Sequence, residues 1–470
     1  MKKLTVAAVI SAMLISMCGC SDTSSSSSEV TTTTSQTTTA VSQTTAAVSQ
    51  TTVQTTSDWT SELSPIESSY NYVHGTDGYY NLAQELKHFQ MPMQEAGTCW
   101  LHAARASIQT SYEKQTGKEL KIEIGDMLNT IYGDDKQEGY FIKDGTDKAE
   151  IGGWQWMVTG TLSRGYKNGL TLDSSVVIDP TDREAIKNAV KTRGGVTAEI
   201  CDEGVKKGIF GNYNTVNYTG NEKYDHDVTI IGWDDHFPKD YFEVPAKQDG
   251  AWIVYNSNVG QIYYYISYCS PLGYTITHTV SDKYSDVLSY DAGNEQDRLV
   301  KTGDSTKTAN VFHKKGKLAA VGTYNGFDEQ DIKIEIMSTD FKTVLYSQDA
   351  KLGYHGYHTV ELTKPVDVED FAVVITYSKG APVEGETIEN DSGMYKTVSE
   401  KGQSFVFTGG KWKDMTDKDI KTVLKTYNGQ SASAGQIGAV RDNLSEEDIK
   451  ELHDTDFEPR NCCIKALFIK

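Results

Sequence analysis

The chain has 470 residues, more than one hydrophobic core usually serves, so two or three folded units with accessory segments are expected. Its 45 Lys and Arg against 65 Asp and Glu give a formal net charge of -20. That charge repels polyphosphates and anionic lipid headgroups, which argues against nucleic acid as a partner. Seven cysteines are too few for a disulfide scaffold, and no CxxC pair or HExxH string offers a metal site, so no metal or cofactor is expected.

Lys2 and Lys3 precede an apolar run over residues 4–17 that closes on Cys18-Gly19-Cys20-Ser21. The run is shorter than the roughly 20 residues a membrane-spanning helix needs. Residues 1–19 therefore read as a removable secretory signal peptide. Met17-Cys18-Gly19-Cys20 resembles a lipobox, which predicts lipidation of Cys20 and membrane attachment through a lipid anchor only; ordinary cleavage and plain secretion are the alternative. Residues 20–57 are mostly Ser and Thr and repeat Ala-Val-Ser-Gln-Thr-Thr at Ala40 and Ala47. Such a segment cannot bury a core and is expected to be a disordered tether holding folded units off a surface.

The first folded unit is placed at residues 58–278. Its early half is helical in pattern: Thr98 is an expected N-cap, and Cys99, Ala103, Ala106 and Ile108 follow at helical spacing without proline. Cys99 then falls in the first turn, where backbone amides and the helix dipole favour a thiolate. Most isolated cysteines are simply small buried hydrophobes, so the company of Cys99 decides.

Gln94-Glu95-Ala96-Gly97-Thr98-Cys99-Trp100 resembles the nucleophile segment of the papain-like (C1) cysteine peptidases. That family needs a histidine roughly 130–150 residues downstream and then an asparagine. At close to that interval stands Asp225-His226-Asp227-Val228-Thr229-Ile230-Ile231-Gly232-Trp233, similar to the family's histidine strand. Ala251-Trp252-Ile253-Val254-Tyr255-Asn256-Ser257 resembles its asparagine strand, and Tyr263-Tyr264-Tyr265-Ile266-Ser267-Tyr268 the strand after it. Gly152-Gly153-Trp154-Gln155-Trp156 resembles the paired glycines that hydrogen-bond an extended substrate, where a missing Cβ permits close approach. Residues 183–195 read as a helix closed by Gly194-Gly195, and 196–201 as the next strand. The resemblance implies Cys99 as nucleophile, His226 as its acid–base partner, Asn256 as the imidazole's orienter and Gln94 as an oxyanion donor.

This chain departs from the family in three places. Asn258 stands where the family carries a tryptophan shielding the His–Asn bond, so that bond is expected to meet solvent. His102 follows the nucleophile by three positions and reads as packing or local tuning. No long inhibitory propeptide fits between the tether and Gln94.

From residue 279 to 470 strands dominate. Ile332-Lys333-Ile334-Glu335-Ile336 alternates strictly, and 358–362, 371–375, 404–407 and 464–469 add short apolar strands, which suggests an all-β sandwich. A short capped helix is expected over residues 444–453. The order Ala309-Asn310-Val311-Phe312, Leu318-Ala319-Ala320-Val321-Gly322, Gly356-Tyr357-His358-Thr359-Val360 and Gln403-Ser404-Phe405-Val406 resembles the lectin-like domain that follows papain-like peptidases in surface proteins of Gram-positive bacteria. Tyr324, Tyr354, Tyr357 and Trp412 are candidates to stack on sugar rings, or else to fill the core. Cys462 and Cys463 point to opposite faces and are expected to remain separate thiols.

The fold class expected is an α+β papain-like two-subdomain fold followed by an all-β sandwich domain. The function expected is an extracytoplasmic cysteine endopeptidase acting on protein or peptide, with a C-terminal unit binding a polysaccharide or cell-wall surface. A non-catalytic adhesin on the same scaffold, and a cell-wall peptide amidase or transpeptidase, are the rivals.

Overall fold

The computed structural model describes residues 74–429 and 456–470, apart from 76, 91, 134–137, 144, 203, 204, 206, 211, 212, 221–223, 259–262, 294–297 and 390–392. The expected signal peptide, Cys20, the Ser/Thr tract and the helix over 444–453 lie outside the described residues. Among those residues no helix is long and apolar enough to cross a membrane.

The first half is built around the helix Cys99–Thr116. Its alanines favour helix, and it stops at Gly117, whose φ of 68° is left-handed and whose N–H caps Glu113 O. Thr98 holds the N-cap position, but its hydroxyl donates to Glu95 O and caps nothing. The helix is buried on almost every side because small polar residues admit neighbouring backbone. Ser107 Oγ donates to Gly195 O at 2.7 Å, and Gly195 N donates to Thr110 Oγ1 at 2.8 Å. At Gly194, with φ of 128°, an added Cβ would lie 2.7 Å from Ser111 N, so only glycine permits this approach.

On one side of that helix a cluster gathers Trp100, Leu101 and Ile108 with Met127 and Ile131 of the helix Ile124–Ile131, and Trp156 and Met157 of the helix Gln155–Ser163. On the other side a second core is formed by strands. His226–Asp234 pairs antiparallel with Val196–Ile200 and Ala251–Tyr255, and the latter with Tyr263–Ser267. The helix Arg183–Thr192, capped by Asp182 accepting from Ala185 N, lays Ile186, Ala189 and Val190 into that core. A helical part and a strand part therefore meet along the helix Cys99–Thr116.

The second half is built almost wholly of strands, and its core holds Phe312, Ile334, Ile336, Phe371, Val373, Ile375 and Ile464. The segments expected as separate short strands run on as two long bent ones, Thr306–Asn325 and Gly356–Tyr377, paired along nearly their whole length. Their ladder shifts register between Leu318 and Ala320, opposite Glu361 and Val366. Pro365, which has no N–H to give, falls in that gap, where the bulge bends the pair.

The two halves share sheets and core. Gly356, Tyr357 and His358 pair with Val176, Ser175 and Ser174 of the strand Thr171–Ile178, and Gly139–Ile142 pairs with Gly393–Lys396. Gly356 has φ of 121°, and a Cβ there would lie 1.9 Å from Ser175 O. Tyr324, Tyr357, Tyr395 and Cys463 from the second half pack into the same cluster as Trp100 and Trp156. Asp291 and Lys465 form an ion pair with no exposure on either side chain, and the ammonium lies 4.9 Å over the Tyr324 ring. The strand Thr275–Ser281 runs straight through position 278, the boundary expected from the sequence.

Of the four aromatics weighed as sugar platforms or core residues, two are decided here. Tyr324 and Tyr357 are buried at 1 and 0 % exposure and are core residues of the joint between the halves. Tyr354 is exposed, and Trp412 is half-buried, stacked on Phe341 at 4.4 Å between centroids. Cys462 and Cys463 are separate thiols in two different cores, and burial pushes the Cys462 thiol up to about 12.

Candidate active site

Cys99 opens the nucleophile helix at its amide-rich end. The approach to it is pinned from below: the Glu113 carboxylate accepts from the backbone N–H groups of Lys87, His88 and Phe89, at 2.5, 2.9 and 2.9 Å. That ties the incoming loop to the helix it precedes. His226 begins the central strand and Asn256 follows the end of its neighbour, so the pairing of the two strands sets one beside the other. His226 Nε2 and Asn256 Oδ1 are 2.8 Å apart. Cys99, His226 and Asn256 are 0, 2 and 0 % exposed.

The buried state of that pair corrects the expectation that losing an indole at position 258 lays it open. Asn258 instead serves as a brace. Its backbone N–H donates to Asn256 Oδ1 at 2.9 Å, and its Nδ2 donates to Asp202 Oδ2 at 2.9 Å. The same Asp202 oxygen takes the Lys207 ammonium, and Asp202 N donates to Asp225 Oδ1 at 2.8 Å. The residues flanking His226 and Asn256 are thereby cross-linked on both sides.

Gln94 is joined to the asparagine strand. Its N donates to Ser257 O at 2.7 Å, and its Oε1 accepts from Ser257 Oγ at 2.6 Å. Its Nε2, the atom an oxyanion donor would use, is directed to Ala96 O at 3.0 Å, with a second hydrogen still on that nitrogen. Ala96 itself has φ of 60°, an uncommon backbone state that turns the chain just before Cys99.

Gly152 and Gly153 lie beside this centre with a packing reason of their own. Gly152 has φ of 75°, and its carbonyl accepts from Tyr132 OH at 3.0 Å. A Cβ on Gly153 would fall 2.4 Å from the Trp100 ring. His102 is buried without joining the centre; burial first, and Arg105 second, lower it to about 4, so it is a neutral packing residue. Among the described residues no group of three His, Cys, Asp or Glu side chains is arranged to hold a metal ion.

Four residues of the site were not singled out from sequence: Glu113, Ser257, Asp202 and Gln155, whose Nε2 donates to Trp100 O at 2.9 Å and to Asp227 Oδ2 at 3.0 Å. Ser257 lay within the quoted asparagine strand and Gln155 between two tryptophans, so both had a local signal. Asp202 and Glu113 act across long separations and had none.

Known proteins can now be set beside this geometry. Residues 289–428 match the family model of the lectin-like domain. A clostridial cysteine protease, Cwp84 after propeptide cleavage, superposes with a TM-score of 0.59 at 16% identity, over 83% of this chain and 99% of that one. The cysteine protease and lectin-like domains of Cwp84, a surface layer associated protein of Clostridium difficile, superpose with a TM-score of 0.59 at 16% identity, over 84% of this chain and 89% of that one. No curated protein matches the chain. The second half thus matches a lectin-like domain over residues 289–428, and the chain as a whole shares the two-part fold of a cysteine protease joined to a lectin-like domain.

Proposed function

We propose that this chain is an extracytoplasmic papain-like cysteine endopeptidase whose C-terminal lectin-like unit engages a surface or glycan. The observation that carries the reading is the buried 2.8 Å contact of His226 Nε2 with Asn256 Oδ1, on the fold that also puts Cys99 at a helix N-terminus. With Nε2 engaged by Asn256, Nδ1 is the ring atom suited to hold a proton against the Cys99 thiolate. The thiolate attacks a peptide carbonyl, forming an S–C bond; His226 passes its proton to the leaving amine as the C–N bond breaks; water, deprotonated by His226, then hydrolyses the thioester and regenerates the thiol. The Cys99 backbone N–H, with the second Gln94 Nε2 hydrogen, serves the oxyanion, where one donor is typically worth about 10²–10³ in rate.

The experiment is labelling of the full chain with an epoxysuccinyl thiol probe, with Cys99→Ala as control. Labelling and cleavage of unfolded proteins should both vanish in the variant; equal labelling of both proteins refutes the reading. Anchoring is tested apart: Cys20→Ala should release the protein from membranes to the medium if a lipid on that cysteine holds it.

A further inference from the structure

The paired glycines hold one backbone donor that the mechanism above does not use. Gly152 O and Gly153 N–H belong to a single peptide unit, and no peptide bond among the described residues is cis. A trans unit is flat, with its C=O and N–H pointing in opposite directions, so whatever fixes one end aims the other. Tyr132 fixes the carbonyl end, its OH donating to Gly152 O at 3.0 Å.

That hydroxyl is itself held in place. Tyr132 closes the helix Ile124–Ile131, its N–H donating to Leu128 O at 2.8 Å. Its side chain is 2 % exposed and lies in the cluster that packs Trp100 and Met157, with the Met157 sulfur 3.7 Å from the hydroxyl. The glycine pair is gripped from a second direction as well, because Gly153 stands against the Trp100 ring with no room for a Cβ. Gly152, at φ of 75°, makes a turn that residues with a Cβ seldom adopt. One peptide plane is thus set by an oxygen bonded to Tyr132 and a Cα pressed on Trp100.

The opposite end of that plane has no such hold. Gly153 is buried, yet no acceptor among the described residues takes its N–H. A buried amide hydrogen in that state is rare and costs free energy until an acceptor reaches it. A peptide carbonyl suits it, being neutral and able to approach to about 2.9 Å where no side chain stands in the way.

We infer that Tyr132 is a positioning residue for substrate: by holding the Gly152 carbonyl it presents the Gly153 N–H to a backbone carbonyl of the bound peptide. The inference rests on the peptidase reading. Tyr132 acts only through the glycine pair and takes no part in bond making.

The test reads the labelling rate of Cys99 on the full chain with epoxysuccinyl peptide probes. Each all-amide probe is paired with one whose first or second peptide bond from the warhead is an alkene isostere, which keeps the shape and removes the acceptor. At one of the two bonds the amide probe should label about tenfold faster, the scale of one hydrogen bond. In Tyr132→Phe that ratio should fall to near unity, while iodoacetamide, which carries no peptide, labels Cys99 as fast as before. Tyr132→p-aminophenylalanine, which keeps a donor, should restore the ratio, and melting curves report folding of both variants. Equal rates for amide and isostere at both bonds of the unaltered chain overturn the inference, even where a variant does not fold. A ratio retained in folded Tyr132→Phe overturns it too, as does an iodoacetamide rate that falls together with the probes, since that marks damage to the whole centre. If no epoxysuccinyl probe labels Cys99, the peptidase reading itself fails and takes the inference with it.

Discussion

Cutting the chain near position 278 should leave the first half unable to fold, even though Cys99, His226 and Asn256 all precede the cut. The strand Thr275–Ser281 would be severed while paired to Thr171–Ile178, and the latter would lose its partner Gly356-Tyr357-His358. The larger loss is in the core. Tyr324, Tyr357 and Tyr395, at 1, 0 and 6 % exposure, belong to the cluster that packs Trp100 and Trp156. Burying a large side chain is worth about 1.5–3 kcal/mol, so the three together contribute about 5–9 kcal/mol. That is the size of a domain's entire net stability, about 5–15 kcal/mol. Ser163 Oγ would also lose its 3.2 Å contact with Tyr324 OH and keep only its bond to Gly160 O. Circular dichroism melting and amide exchange of a 58–278 fragment against the full chain decide the matter. A fragment with no cooperative transition is the expected result. A fragment that melts cooperatively close to the full chain would refute the reasoning and restore the simpler picture of a peptidase merely tethered to a targeting module.

Three further outcomes follow from single positions. Gly153→Ala should destabilise by about 1–3 kcal/mol through overpacking against Trp100, seen as a lower denaturant midpoint. Asn258→Trp, placed as the family's indole would be, should lower kcat/KM about tenfold, because it removes the bond to Asp202 that braces the Asn256 loop; a rise in rate would show that shielding matters more than bracing. Stability should fall as pH drops below 6.5. Burial lowers His102 to about 4 and His278 to about 3, so the unfolded chain takes up protons first and the contribution present above pH 6.5 is lost on acidification. For His102 the limit is about 3 kcal/mol by pH 4. A His278→Gln variant should flatten the profile of denaturant midpoint against pH.

The candidate centre could be read from the sequence because its parts are local strings. A thiol at a helix start, a histidine at the head of an apolar strand and an asparagine just past the next strand each announce themselves within a few residues. Strand pairing then brings two of them together, and because His226–Asp234 is buried along its whole length, a one-residue slip would exchange the side chains packed on its two covered faces. The supporting residues were illegible for the complementary reason. Gln155 meets Asp227 across 72 positions and Glu113 meets Phe89 across 24, and nothing in either neighbourhood distinguishes these polar residues from solvated ones.

The joint between the halves failed to register for a subtler reason. Gly356 and Tyr357 read as an ordinary strand start, and strand pattern tells which face of a strand is apolar but not which partner covers it. A sandwich strand that pairs with its own sheet and one that also reaches across to Thr171–Ile178 have the same alternation. The distinguishing feature is the left-handed φ of Gly356 and the 1.9 Å that a Cβ would leave to Ser175 O, a demand set entirely by the other half. Tyr324 and Tyr357 were open to misreading in the same way, because a tyrosine on a sandwich face serves a sugar or a neighbouring core with equal chemical competence. What decides is whether another surface covers it. Here Trp156 lies 6.1 Å from Tyr324, and Lys465 lies over both tyrosine rings, so the second half lends the first part of its core.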